Sequence, residues 1–124
     1  MNRRVIAAVS DMLFASKIRG TAEHLNVTVD FARTEEGLFD YAKAEVPSLI
    51  ILDLHDTRLD PFGLAARLKA DEQLRAVPLV AFFSHVETEL RQKALEAGVE
   101  HVLPRSVFAQ RLGAILGGEL EVRP

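Results

Sequence analysis

The chain has 124 residues, 48% of them hydrophobic and 27% charged, with 18 acidic against 15 basic side chains and a net charge of -3. That length builds one domain with a sizeable core, and the lack of cysteine excludes disulfides, thiolate chemistry and cysteine-held zinc or iron–sulfur centres. The acidic balance, with no basic run longer than Arg3-Arg4, argues against direct nucleic-acid binding.

Met1-Asn2-Arg3-Arg4 leads into the apolar run Val5–Val9, closed at once by Ser10-Asp11. The run is too short for a signal-peptide core or a membrane span and reads as a strand, with the cytoplasm as the expected location. Ala15, Ile18, Ala22 and Leu25 then recur at helical spacing, and Val27–Phe31 is a second strand. Thr34 is the predicted cap of a second helix, with Glu35 and Glu36 in its first turn and Leu38 and Ala42 inside. Leu49–Leu52 is the third strand. Asp60-Pro61 is a strong helix start, a capping side chain followed by proline, and places Leu64 and Leu68 inward.

Leu79–Phe83 is the fourth strand, and Leu90, Ala94 and Ala97 form a helix that stops at Gly98. His101–Leu103 is the fifth strand, and one last helix carries Phe108, Leu112 and Ile115 to Gly117-Gly118. Residues 1–118 are thus one domain, and 119–124 a loose tail. Five short strands alternating with five helices predict an α/β fold, a five-stranded parallel sheet with helices on both faces, flavodoxin-like in type. The central strands are apolar throughout, as strands covered on both sides should be.

Such a fold works beyond the carboxyl ends of its strands. Those ends carry Ser10-Asp11, then Asp53-Leu54-His55-Asp56, then Phe83-Ser84-His85, and finally Pro104-Arg105-Ser106. Asp11 and Asp53 should therefore converge. Two carboxylates suit a hard divalent cation such as magnesium, and a carboxylate beside such an ion can attack a phosphoryl donor. The bland alternative is that aspartate ends strands because it suits turns and caps. His55 and His85, with Asp53 or Asp56, could hold a transition metal, although lone histidines at such an edge are more often surface residues. His24 and His101 carry no readable role. Asp56 reads as a solvated loop acid, Asp60 as a helix cap and Phe82 as core, while Phe83 is left open between core and exposed patch. Ser-His-Asp and nucleophile-elbow patterns are lacking, so the chain is not read as an enzyme.

Several stretches together resemble the receiver domain of bacterial two-component response regulators. They are Pro47-Ser48-Leu49-Ile50-Ile51-Leu52-Asp53-Leu54, Asp60 at its distance from Asp53, Val77-Pro78-Leu79-Val80 and Lys93-Ala94-Leu95-Glu96-Ala97-Gly98-Val99. The resemblance spans residues 3–117 in register. It implies that Asp53 is the phosphoacceptor, and that Asp11, Asp53 and the backbone carbonyl of His55 hold Mg2+. It also implies an ordinary switch hydroxyl at Phe83, with Ser84 one position late, and a lysine where Arg105 stands. Ser10 replaces the first of two adjacent acids, which should weaken the magnesium site. Asp56-Thr57 stands for the usual Met-Pro, Pro61 for a glycine, and Pro104 and Ser106 exchange the usual proline position.

The resemblance therefore implies an atypical receiver acting in phosphorelay signal transduction, with no output domain on the chain. Its partner would be a sensor histidine kinase or another signalling protein, with a homodimer as an alternative. Contact would be through the face of the fourth helix, fifth strand and fifth helix, around Glu87–Leu95 and Arg105–Ile115. A phosphorylation-independent interaction module is the competing reading, and a small-ligand or metal-binding domain a weaker one. Asp53-Leu54-His55 begins like a cobalamin motif, but Arg58 stands at its glycine. The loop after the first strand lacks the glycine of a flavodoxin phosphate loop.

Overall fold

The computed structural model describes residues 3–84 and 88–119. β1 (Arg4–Ala8), β2 (Thr28–Phe31), β3 (Leu49–Asp53), β4 (Leu79–Phe83) and β5 (His101–Pro104) form one parallel sheet in the order β2-β1-β3-β4-β5. This is the predicted architecture. The order reverses at β1, so the crevice between the carboxyl ends of β1 and β3 is the topological switch point.

Helices cover both faces. α1 (Met12–His24), α5 (Arg105–Gln110) and α6 (Leu112–Leu116) lie on one side, and α2 (Glu35–Ala44), α3 (Pro61–Ala70) and α4 (Thr88–Glu96) on the other. Side chains alternate along each strand, so each strand feeds both cores. Ile6, Ile50, Leu52 and Ala81 pack towards Leu38, Leu64 and Leu68, whereas Val5, Ile51, Val80 and Phe82 pack towards Ile18 and Phe108. Phe14, Phe82 and Phe108 form an aromatic triad in the second core, with Phe14 edge-on to Phe82 at 4.8 Å and Phe82 stacked on Phe108 at 4.8 Å. Phe83 goes to the opposite core and is buried.

The local signals act as their chemistry suggests. Thr34 Oγ1 accepts from Gly37 N–H, and Asp60 Oδ1 from Phe62 N–H, with Pro61 opening α3. Gly98 closes α4 at a φ of 103°, and a Cβ there would meet Lys69 Cγ at 2.8 Å. Lys69 Nζ in turn donates to the Val77 carbonyl at 2.9 Å and pairs with Glu100. The adjacent Arg3 and Arg4 also tie elements together: Arg3 Nε donates to the Leu116 carbonyl at 2.9 Å, and Arg4 Nε to Asp30 at 3.0 Å.

Three expectations need correction. The last helix is divided, because Arg111 takes φ -102° and ψ 10° between α5 and α6. Gly113 stands two positions on, in the first turn of α6, and a residue of low helix propensity supports a straight continuation poorly. Leu25 is 41% exposed rather than inward, because α1 ends at His24 and the chain turns through Asn26 at φ 58°. Asp56 is not a solvated acid but is buried, as described below. Among the described residues, no helix is long and apolar enough to cross a membrane. Of the supposed tail only Glu119 is described; residues 120–124 lie outside the described residues, as do Met1 and Asn2.

Candidate functional site at the carboxyl edge of the sheet

The carboxyl ends of β1, β3, β4 and β5 bring Asp11, Asp53, His55, Ser84 and Arg105 to one edge. Asp11 caps α1, with Oδ1 accepting from Phe14 N–H at 3.1 Å. Its other oxygen, Oδ2, accepts from Arg105 Nη2 at the start of α5. The Arg105 guanidinium also lies over the Phe14 ring, 4.7 Å from its centroid. The hydrogen bond from Phe14, followed by that from Arg105, holds the Asp11 carboxyl below the usual carboxylate range. Of the two carboxylates at this edge, Asp11 is the one that Arg105 bonds.

Asp53 ends β3 and is 5% exposed. Its Oδ1 accepts from His55 N–H at 2.9 Å, which fixes the carboxylate at the mouth of the switch-point crevice. Burial raises its pKa, the His55 N–H opposes this, the neighbouring Asp56 charge adds to the rise, and Arg105 offsets part of it. The protein thus maintains a carboxyl group that is costly to ionise at the edge where ligands bind in this class of sheet.

Asp56 explains the second carboxylate. Its side chain is 0% exposed and is gripped by Arg58, with Nε on Oδ1 at 3.0 Å and Nη2 on Oδ2 at 2.9 Å. Arg58 N–H adds a third bond to Oδ1 at 2.9 Å. Burial alone would raise the Asp56 pKa, but the Arg58 side chain and backbone bonds outweigh it and the net shift is downward. The opposite charges at positions 56 and 58 were the available sequence signal. Nothing in the spacing announced that the acid would be buried.

The imidazole of His55 reaches across to the loop after β4. Ser84 N–H donates to His55 Nε2 at 3.2 Å, and Ser84 Oγ lies 3.2 Å from the same nitrogen. Ser84 is therefore engaged, while the Phe83 side chain is buried and has no hydroxyl to offer. His85, the other half of the suggested histidine pair, lies outside the described residues. Among the described residues, no three His, Asp or Glu side chains assemble into a metal-holding group. The donors that the receiver resemblance names for magnesium, the Asp11 and Asp53 carboxylates and the His55 carbonyl, are hard oxygens of the kind such an ion takes, and Asp11 is engaged by Arg105.

Beside Arg105 a groove of about 670 Å³ is lined by Leu13, Phe14, Lys17, Ser84, Ser106 and Ala109. Leu13 stands 85% exposed on this groove, and its neighbour Met12, also 85% exposed, lines a separate cleft. The helical period that sends Phe14, Ile18 and Ala22 inward leaves these two outside.

No protein-family model and no curated protein sequence matches the chain. Solved structures do. The chemotaxis response regulator CheY4 of Vibrio cholerae superposes with a TM-score of 0.82 at 16% identity, covering 97% of this chain and 100% of that one. The receiver domain of the sensor histidine kinase PA1611 from Pseudomonas aeruginosa, which has a magnesium ion in its active-site cleft, matches at 0.82 and 18% identity over 97% and 98% of the two chains. The phosphorylated cyanobacterial phytochrome response regulator RcpA matches at 0.78 and 18% identity over 95% and 91%. What is shared at these identities is the architecture, from first strand to last helix. The chain has the fold of the response-regulator receiver domain.

Proposed function

We propose that the chain is an atypical receiver module of phosphorelay signalling, with Asp53 as its phosphoacceptor. The observation that carries this reading is the position of Asp53: a buried carboxylate fixed by His55 N–H at the switch-point edge, near the Asp11–Arg105 pair. In the reaction, an Asp53 carboxylate oxygen attacks the phosphorus of a phosphoryl donor. The bond from phosphorus to the donor atom breaks, and the donor leaves with the electron pair. The chain is an acceptor in this step and not an enzyme. Asp11, Asp53 and the His55 carbonyl would hold a magnesium ion, which supplies charge neutralisation at the phosphoryl oxygens. Ser10 contributes no negative charge, and Arg105 competes for Asp11, so this site is weak. Magnesium in the receiver of PA1611 and manganese in the response regulator Rcp1 support the choice of a divalent cation.

Arg105 is the residue placed to exchange partners. Its guanidinium can leave Asp11 for a phosphoryl oxygen on Asp53, a donor geometry suited to either acid. The response beyond the site is muted, because Phe83 lacks a hydroxyl and Ser84 is held by His55. The partner surface is assigned to α4, β5 and the divided α5–α6 helix. It would take a sensor histidine kinase, another signalling protein or a second copy of the chain, in the cytoplasm. Glu87, at one end of that face, lies outside the described residues.

A second reading has specific support. Arg105 already rests on an acid and Phe83 is locked in the core, an arrangement that a phosphorylation-independent interaction module would also need. Incubation with acetyl phosphate and magnesium distinguishes the two. The receiver reading expects an acid-stable, base-labile phosphoryl group on the wild type and none on Asp53→Asn. A wild type that remains unlabelled establishes the phosphorylation-independent module instead.

A further inference from the structure

We propose that the cleft outside the carboxyl ends of β1 and β2 binds a multiply charged phosphate-bearing small molecule through Arg19, Arg33, Arg58 and Ser10. The cleft has a volume of about 410 Å³, within the range of small-ligand sites, and Met12 and Phe31 contribute its apolar wall. Its three arginines come from separate parts of the chain: α1, the segment after β2 and the loop after β3. No acidic residue lines it.

The charge balance is the central point. Arg58 is neutralised by buried Asp56. Arg19 lies on the Phe31 ring at 4.7 Å, and among the described residues neither Arg19 nor Arg33 forms an ion pair with a carboxylate. Two uncompensated guanidinium charges therefore border one concavity. An anion with several oxygens satisfies them, since arginine forks match phosphate geometry.

Two of the three arginines are already held in place. The paired bonds to Asp56 fix Arg58, and stacking on Phe31 restrains Arg19, so less side-chain freedom is lost when an anion arrives. Ser10 is exposed and presents a neutral hydroxyl where an acid would repel the ligand. Phe31 and Arg33 also border a neighbouring groove with Gly37, Asp40 and Tyr41. The acid there directs the anionic end of the ligand to the arginine side and leaves the groove for its uncharged body. Neither magnesium nor Asp53 takes part, so this site is independent of phosphoryl transfer.

The test is a titration with pyrophosphate in magnesium-free buffer, followed by backbone amide shifts against sodium chloride of matched ionic strength. Saturable shifts are expected at Ser10, Arg33 and Arg58, unchanged in Asp53→Asn. Affinity should fall about tenfold in Arg19→Gln and again in Arg33→Gln, the effect of losing one charge-assisted contact. Both arginines are exposed, so the substitutions leave the cores intact. Shifts no larger than those from the salt control overturn the site. So does binding that survives in the Arg19→Gln/Arg33→Gln double variant, or that disappears in Asp53→Asn.

Discussion

Arg105 and Asp11 are joined across the sheet edge, 94 positions apart in sequence, by a guanidinium–carboxylate hydrogen bond that links the start of α5 to the cap of α1. The pair closes over the Phe14 ring and takes the Asp11 oxygen that the Phe14 N–H does not. On the proposed receiver reading, Arg105 and a magnesium ion would compete for Asp11.

Removal of the Arg105 cation should then favour the magnesium ion. Both side chains are about a third exposed, at 39% and 32%, so the pair contributes only about 0.5–1 kcal/mol. Arg105→Ala should accordingly tighten magnesium binding about two- to fivefold. Ser10→Asp, which adds an anionic ligand, should tighten it further. Amide shifts at Asp11 and Asp53 during a magnesium titration measure both effects, and an Arg105→Ala variant with unaltered affinity contradicts the competition.

Asp53→Asn should stabilise the protein at neutral pH. Burial raises the Asp53 pKa, so its ionised form is penalised in the folded state. The penalty is complete above the folded pKa and vanishes below the ordinary carboxylate range, where the wild-type group is protonated in both states. Asparagine keeps an oxygen for His55 N–H. Urea midpoints of the two proteins should therefore differ near neutrality, with the variant higher, and converge on acidification.

Asp56 behaves in the opposite sense. Its pKa is lowered by Arg58 against the pull of burial, so its contribution to stability is present above the unfolded carboxylate pKa and is lost as pH falls through the folded one. Arg58→Ala leaves a carboxylate with 0% exposure unpaired. The cost should be about 2–3 kcal/mol, less than for a fully buried pair because Arg58 is partly exposed. Chemical denaturation at neutral pH reads this directly. An Arg58→Ala variant as stable as the wild type would show that Asp56 finds other partners.

Phosphoryl mimicry should move little beyond the site. A ligand shifts a two-state equilibrium only through different interactions with the two states. Without a hydroxyl at Phe83, roughly 1.5–3 kcal/mol of such difference is missing. Beryllofluoride with magnesium should shift Asp53 and Arg105 amides yet leave Ser84, residues 88–104 and residues 106–116 close to their resting positions. Large changes across α4 in the wild type, absent in Asp53→Asn, would restore an ordinary switch.

The sheet was legible because its signals are local and mutually consistent. Runs such as Leu49–Leu52 and Leu79–Phe83 are apolar on both faces, and Thr34, Asp60 and Gly98 punctuate the helices as their chemistry requires. The edge position of Asp11 and Asp53 followed from strand ends alone. What escaped was set by packing between distant parts. Whether Phe83 faced core or solvent depended on which helices covered β4, and the burial of Asp56 depended on a loop folding back over its own carboxylate. The division at Arg111 arises from a backbone turn that the apolar spacing of Phe108, Leu112 and Ile115 does not reveal.

The paired ties of Arg3 and Arg4 bear on how the chain assembles. β1 is made early yet lies inside the sheet, between β2 and β3. Arg3 finds its carbonyl partner only at Leu116, 113 positions later. During synthesis this tie therefore forms last, well after α1, β2, α2 and β3, which flank and cover β1, have been made. Closure is a late event with a high entropic threshold, and the interval before it is when the nascent chain most needs protection from pairing with a neighbour.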